Sequence, residues 1–247
     1  MKNLIKRICQ ISHLSKEGHI GSSLSILDIL YVLYEKFITF DTLDRNRVIL
    51  SKGHASLGLY AIMEHFGLLE NNSLETFGQF NSVLGGHPSN AFKNIEASTG
   101  SLGHGLPISI GIALAYKIKN YQKQIFVIVG DGEMNEGSIW ESLLLSSNHK
   151  LNNLTCILDY NRSNDRALKL DSVIDKVKAF GWNCIEIDGH DKKQIEESLL
   201  TTHLEKPTFI IANTIKGNGI SFMENNPEWH HKAPNEEEYK NILKELE

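Results

Sequence analysis

Two oxygen-bearing side chains stand where apolar runs give way to polar turns. Asp131 lies in Gly130-Asp131-Gly132, directly after the β-branched run Ile125 to Val129. Asn161 follows the next apolar run, Leu154 to Leu158, after Asp159-Tyr160. Glycines on both sides of Asp131 predict a tight turn in which backbone can approach a ligand closely. A carboxylate and an amide brought together suit a hard cation such as Mg2+ or Ca2+. Mg2+ in particular takes one or two protein groups and completes its shell with water and phosphate oxygens. The chemistry indicated is a metal that carries a phosphorylated cofactor. For Gly-Asp-Gly taken by itself, a turn with no ligand is the plain alternative.

Histidines supply the other candidate groups, because imidazole changes charge near neutral pH. His54, in Lys52-Gly53-His54, follows the short strand predicted over 47–51 and precedes a helix over 55–66. At such a joint the ring and backbone N–H groups can face a phosphate. His19 sits in a polar loop between Gly18 and Gly21, and His87 in Gly85-Gly86-His87-Pro88 within the aperiodic stretch 71–98. Taken alone, each of these is equally a loop residue without a role. Thr99 to Gly105 (TGSLGHG) opens a helix over 106–116, and its glycines serve ligand approach or tight helix packing alike. The acidic run Glu236-Glu237-Glu238 reads as the solvated first turn of a terminal helix.

These groups need elements that bring strand ends together. Apolar positions Leu4, Ile5, Ile8, Ile11 and Leu14 predict a helix over 2–14, and another follows over 26–37. A short helix is predicted near Leu74. After Asp131, Asn135 or Ser138 would cap a helix carrying Ile139, Leu143, Leu144 and Leu145. A helix over 171–180, a strand over 182–187, a helix over 192–200 and a strand over 208–212 complete the alternation. The pattern predicts an α/β fold: a doubly wound, mostly parallel sheet flanked by helices, as a single domain over 1–247. Ligands of such sheets bind in the crevice outside the carboxyl ends of the strands.

With 247 residues and a net charge of −5, the chain suits one α/β domain and offers no electrostatic case for nucleic acid or an anionic membrane. No apolar run nears the roughly 20 residues of a membrane span. The segment MKNLIKRICQ lacks the apolar core and cleavage site of a secretory signal. Three widely spaced cysteines, Cys9, Cys156 and Cys184, predict buried thiols in a reducing compartment, so the expected location is cytoplasmic.

Further stretches narrow the reading. GHIGSSLS (18–25), LSKGHASLGLY (50–60), GGHP (85–88), TGSLGHG (99–105) and WHHKAP (229–234) accompany the Gly-Asp-Gly and Asn161 pattern. In this order, over nearly the whole chain, they resemble the N-terminal, diphosphate-binding half of transketolase. The resemblance implies the thiamine diphosphate-binding (PP) fold. It also implies a metal, Mg2+ or Ca2+, held by Asp131, Asn161 and the backbone carbonyl of Ser163. His54 would bond the cofactor diphosphate, the backbone at Gly100 and Leu102 would meet the aminopyrimidine, and Gly130 and Gly132 would border the cofactor. His231 would touch both diphosphate and substrate hydroxyl, with His230 its less favoured neighbour. His19 and His87 would handle the sugar, as proton-transfer bases of near-neutral pKa together with His231.

The activity implied is transfer of a two-carbon ketol unit from a ketose, or its phosphate, to an aldose. The glutamate that acts on the cofactor's N1' belongs in this family to a pyrimidine-binding domain, expected here on a separate C-terminal subunit. Glu136 would couple to that glutamate across the interface, in an α2β2 heterotetramer. After Asn161 the chain departs from the family pattern, with Ser163 and Asp165 where relatives place apolar residues. Two alternatives remain open on sequence. One is another thiamine diphosphate enzyme, such as a 1-deoxyxylulose-5-phosphate synthase or a dehydrogenase E1 component. The other is a non-catalytic cofactor-binding subunit.

Overall fold

Alternating segments of the chain build one five-stranded sheet between two helical layers. The computed structural model describes residues 1–40, 44–70, 72–201 and 203–247. The chain opens with three helices, α1 (Lys2–Ser15), α2 (Ile20–Ser25) and α3 (Leu27–Lys36), then β1 (Arg47–Leu50) and α4 (Ser56–His65). After a long irregular stretch come α5 (Gly105–Ile118), β2 (Ile125–Gly130), α6 (Gly137–Asn148) and β3 (Leu154–Tyr160). The remainder is α7 (Val173–Ala179), β4 (Asn183–Asp188), α8 (Lys192–Leu200), β5 (Thr208–Asn213) and α9 (Glu236–Glu245).

The sheet order is β1-β2-β3-β5-β4, and all four pairings are parallel. Every residue of β2 and β3 is buried, as expected for central strands covered on both faces. Alternation sorts their side chains between two cores. Phe126, Ile128, Ile157 and Ile210 join the core under α1–α4 and α8. Ile125, Val127, Val129, Leu158, Phe209 and Ile211 join the core under α5–α7. Full burial of each such side chain stabilises by about 1.5–3 kcal/mol. These central strands therefore fix the platform on which the site stands.

The predicted elements appear in the predicted order, with four local differences. The loop expected over 16–23 gives way at Ile20 to the helix α2, all of whose residues are buried. The cap of α6 is neither Asn135 nor Ser138. Glu136 takes the N-cap position without a side-chain bond, and the Ser138 hydroxyl instead donates to the Gly103 carbonyl at 2.7 Å. Of the four apolar residues assigned to that helix's buried face, Ile139 and Leu143 are buried, whereas Leu144 is 62% and Leu145 48% exposed. Finally, neither Gly130 nor Gly132 has the positive φ that a glycine-dependent turn would use. Cys9 and Cys156 are buried thiols, Cys184 is partly buried, and all are free. Among the described residues no helix is long and apolar enough to cross a membrane.

Candidate functional site

The register explains why the site forms where it does. Leu50 pairs with Ile128, and Gly130 pairs with Asp159, so β2 and β3 end almost together, with the end of β1 two residues short of that of β2. Just beyond those ends lies a cleft of about 290 Å³. Its walls include His19, His54, His87, Gly100, Leu102, Gly130, Asp131, Gly132, Asn161 and Ser163. Two predicted residues do not line it. Glu136 is exposed at the start of α6, and His231 is exposed beside His19, with ring centroids 4.4 Å apart. The neighbour, His230, does line the cleft.

Asp131 is only 6% exposed, and its carboxylate accepts from two backbone N–H groups, Gly132 at 2.8 Å and Asn164 at 3.2 Å. The second bond ties the turn after β2 to the turn after β3. Burial raises the carboxyl pKa above its usual value, and the charge of Asp159 adds to this against the two N–H groups. No lysine, arginine or histidine forms an ion pair with it among the described residues. Lys52 and Lys216 act on it only from beyond contact. A desolvated carboxylate without a contact ion pair fits a cation, because buried charge is costly unless paired or metal-bound. On β3's side, Asn161 Oδ1 accepts from the Ser163 N–H at 3.1 Å and from its hydroxyl. The donor set is oxygen-rich and contains one carboxylate, which suits Mg2+ or Ca2+ better than zinc. No cluster of three or more His, Cys, Asp or Glu that could hold a metal occurs among the described residues.

Beneath these turns runs a buried polar network that sequence reasoning did not assign. Lys52 is 1% exposed and Asp159 fully buried, and they form an ion pair. The Lys52 side chain crosses from the end of β1 to β3 over Gly130. An added Cβ at Gly130 would lie 3.6 Å from Lys52 Cβ, so a methyl would just touch and a larger side chain would block the path. Asp159 also accepts from Ser25 Oγ at 2.5 Å, from Thr214 Oγ1, and from Asn161 Nδ2 at 3.0 Å. Burial opposes its ionisation, yet the Lys52 charge and these hydroxyls outweigh burial and hold its pKa below the ordinary range. By taking the Asn161 amide nitrogen, Asp159 turns the amide oxygen the other way, which is how outer groups orient metal ligands.

Glu133 performs a similar task for the glycine loop. It is 1% exposed and accepts from Ser51 Oγ, from Gly103 N–H at 2.8 Å and from Gly130 N–H at 3.2 Å. One carboxylate thus joins the ends of β1 and β2 to the loop carrying Gly100 and Leu102. Burial raises its pKa despite those three donors. Gly100 has φ +143, and a Cβ there would stand 2.9 Å from the His87 ring, so glycine lets that imidazole pack against the loop.

Five histidines gather at the mouth. His19 lies 5.2 Å from His54 and 5.8 Å from His230 between ring centroids. His19 itself adopts a left-handed backbone, φ 64, at the start of α2, a conformation uncommon outside glycine. Lys216, beyond β5, is buried, and its Nζ donates to His230 Nδ1 at 2.6 Å. Burial, then repulsion from Lys52, lowers the Lys216 pKa to about 8. Burial, then the charges of His231 and His230, lowers His19 to about 4. Burial, then Lys52, takes His54 down to about 2, and burial followed by Lys216 lowers His230. His19 is therefore a weaker base than the near-neutral one expected from sequence, for a stated reason: it is half-buried among other potential cations.

A pH dependence follows with a definite sign. His19 and His54 stay unprotonated in the folded chain well below the ordinary value near 6.5, so the unfolded chain binds more protons in that window. Their contribution is complete above about pH 6.5 and is lost as pH falls towards 4. With His19 discounted for its exposure, the loss between pH 7 and 5 should be on the order of 2 kcal/mol. Asp131 and Glu133, whose pKa values are raised, act in the opposite sense as pH rises. The comparison of urea unfolding at the two pH values, for the wild type and His54→Asn, isolates the histidine part. An unchanged pH slope in the variant would remove His54 from the account.

Comparisons with known proteins agree with this architecture. Residues 5–246 match the family described as transketolase, thiamine diphosphate binding domain. The chain is 36% identical over 258 residues to one of the subunits of an apulose-4-phosphate transketolase from Phocaeicola vulgatus, covering 98% of this chain and 90% of that protein. It is 35% identical over 243 residues to a 6-deoxy-6-sulfo-D-fructose transketolase subunit of a Clostridium species, covering 93% and 88%. Among solved structures, transketolase from Campylobacter jejuni superposes with a TM-score of 0.91 at 28% identity, over 99% of this chain and 42% of that one. Likeness at this level, across sequence, fold and nearly the full length of separately encoded subunits, has one consequence: the chain belongs to the transketolase family, as a thiamine diphosphate-binding N-terminal subunit.

Proposed function

We propose that this chain is the diphosphate- and metal-binding subunit of a split transketolase that moves a two-carbon ketol unit from a ketose phosphate to an aldose phosphate. The observation that carries the reading is the buried Asp131 carboxylate, without a contact ion pair among the described residues, lining with Asn161 a histidine-rich cleft at the strand ends. Asp131, Asn161 and the Ser163 carbonyl would hold Mg2+, with Ca2+ the alternative of the same chemistry. Lys216, His54 and His230 would face the diphosphate, and the backbone at Gly100 and Leu102 the aminopyrimidine. Thiamine diphosphate, when bound, supplies carbanion chemistry at a carbonyl carbon, while the protein supplies orientation and electrostatics. His19, His87 and His230 would orient sugar hydroxyls and exchange protons with them. His231 would hold His19 in place, which changes the order given by sequence for the two tail histidines.

A C-terminal, pyrimidine-binding partner subunit would complete the site, in an α2β2 assembly in the cytoplasm. Exposed Ile108 and Ile118 on α5 and Leu144 and Leu145 on α6 support a partner, since these two helices pack together and present apolar surface. Glu136, exposed at the start of α6, would face it.

The test is a two-carbon transfer assay with thiamine diphosphate and Mg2+, on this chain alone and mixed with the polypeptide encoded beside it. Transfer is expected in the mixture only, and Glu136→Gln should lower it while the isolated chain stays folded. Transfer by this chain alone would overturn the split-site reading.

A further inference from the structure

Lys216 reaches the cleft from a turn that other parts of the fold hold in place. The turn runs from Thr214 to Asn218, directly after β5. Its backbone is pinned on both sides of the lysine. Before it, the Ile215 N–H donates to His190 Nε2 at 2.9 Å. After it, the Gly217 N–H donates to the Gly21 carbonyl on α2 at 3.0 Å. Gly217 has φ +82, and a Cβ there would stand 2.6 Å from the Met223 carbonyl oxygen, so this second anchor depends on a close approach of two backbones. The first anchor depends on one side chain. His190 comes from the turn between β4 and α8 and does not line the cleft.

The contacts of His190 fix its tautomer. A backbone N–H can only donate, so Nε2, which accepts from Ile215, carries no proton. The ring proton therefore sits on Nδ1, facing Asp28 Oδ2 on α3 at 3.1 Å. The Asn218 amide nitrogen lies 3.0 Å from the same Nδ1, and a turn of that amide presents its oxygen instead. Imidazole suits the task because it accepts at one nitrogen while donating at the other, which joins α3 to the turn after β5.

We propose that His190 is a positioning residue for the cofactor's diphosphate: held by Asp28, it fixes the Ile215 amide and so places the Lys216 ammonium in the cleft. The inference rests on the transketolase reading and deepens it, because Lys216 is among the groups assigned to the diphosphate. A lysine is a point charge on a flexible stem, so its ammonium is placed only as well as the backbone that carries it. Lys216 Nζ also meets His230 Nδ1 at 2.6 Å, so a displaced turn would disturb two groups of the cleft together.

The test is calorimetric titration of thiamine diphosphate with Mg2+ into the wild type, His190→Phe, His190→Gln and Lys216→Met. His190→Phe should weaken binding roughly tenfold, because the Ile215 N–H loses its acceptor. His190→Gln should stay within about twofold of the wild type, because its amide oxygen can stand where Nε2 stands. Added to Lys216→Met, His190→Phe should weaken binding by no more than about twofold, since no ammonium is left to place. NMR of the ring nitrogens should find the His190 proton on Nδ1 in the wild type.

A full tenfold loss on top of Lys216→Met would mark a general disturbance of the site and overturn the proposal. So would unchanged binding in His190→Phe, equal losses in His190→Phe and His190→Gln, or a proton on Nε2. Should circular dichroism show His190→Phe unfolded, His190→Ala takes its place under the same expectations. A wild-type chain that binds no thiamine diphosphate would instead defeat the proposed function. The same variants titrated with inorganic diphosphate would then decide the role of His190, and an affinity that is absent or indifferent to His190→Phe would overturn that role as well.

Discussion

Asp159→Asn should lower the unfolding free energy of the isolated chain by about 3–5 kcal/mol, the cost of leaving a buried ammonium without its counter-charge. Lys52 reaches Asp159 over Gly130 and is nearly inaccessible to water. Asparagine keeps the shape but removes the charge and turns a donor towards Lys52, Ser25 and Thr214, which already donate to Asp159. Urea unfolding measures the loss, and a change below about 1 kcal/mol would show that Lys52 is satisfied elsewhere. The double variant Lys52→Met, Asp159→Leu separates charge from packing. Replacing both ions with apolar groups removes the desolvation cost together with the attraction, so it should recover much of the loss. Because the folded pKa of Asp159 is depressed, its contribution is present above the unfolded value near 4 and is lost as pH falls further. That window lies below the one assigned to His19 and His54, so acid unfolding should proceed in two overlapping stages.

This pair also shows where sequence reading stops. β2, β3 and β5 were legible because strands buried on both faces must be continuously apolar, and the turns after β2 and β3 were legible because polar residues interrupt those runs. The partnership of Lys52 with Asp159 was not, although both stand beside motifs. It depends on β1 lying next to β2 and on Gly130 being level with Asp159, and neither fact exists until the sheet is assembled. Glu133 was hidden for the same reason, since its three donors come from Ser51, Gly103 and Gly130 on separate segments. Lys216 carried no local signal beyond a polar position after a strand. The neighbours His230 and His231 differ only in which way the tail turns its backbone, so spacing could not choose between them. In α6, helical periodicity gave the direction of the buried face but not its width, and Leu144 and Leu145 fall outside it. The motif histidines were singled out by the resemblance and not by any local signal of their own. His87, for one, packs where Gly100 has no side chain.

Asp131→Asn should abolish the metal-dependent part of thiamine diphosphate binding while leaving the fold intact. The wild-type chain at ligand concentrations about 100-fold above Kd should gain roughly 2.7 kcal/mol against unfolding when cofactor and Mg2+ are added together. In the variant that increment should vanish, because a neutral amide replaces the only carboxylate in the proposed ligand set; affinity should fall on the order of 100-fold or more. Stability without ligand should move by no more than about 1 kcal/mol, for opposing reasons. Asparagine offers one oxygen where Asp131 uses two, so either the Gly132 or the Asn164 N–H loses its acceptor. Against that, the variant buries no charge. Burial raises the Asp131 pKa, so ionising this group works against folding at neutral pH, and the amide is spared that cost. Calorimetric titration of cofactor with and without Mg2+, beside urea unfolding of both chains, reads the two quantities separately. A variant that still binds in a metal-dependent way would refute the ligand assignment. A variant that loses binding and several kcal/mol of stability together would show that Asp131 serves the turn between β2 and α6 and not the metal. The split between stability and binding is what distinguishes a carboxylate kept for a cation from one kept for the fold.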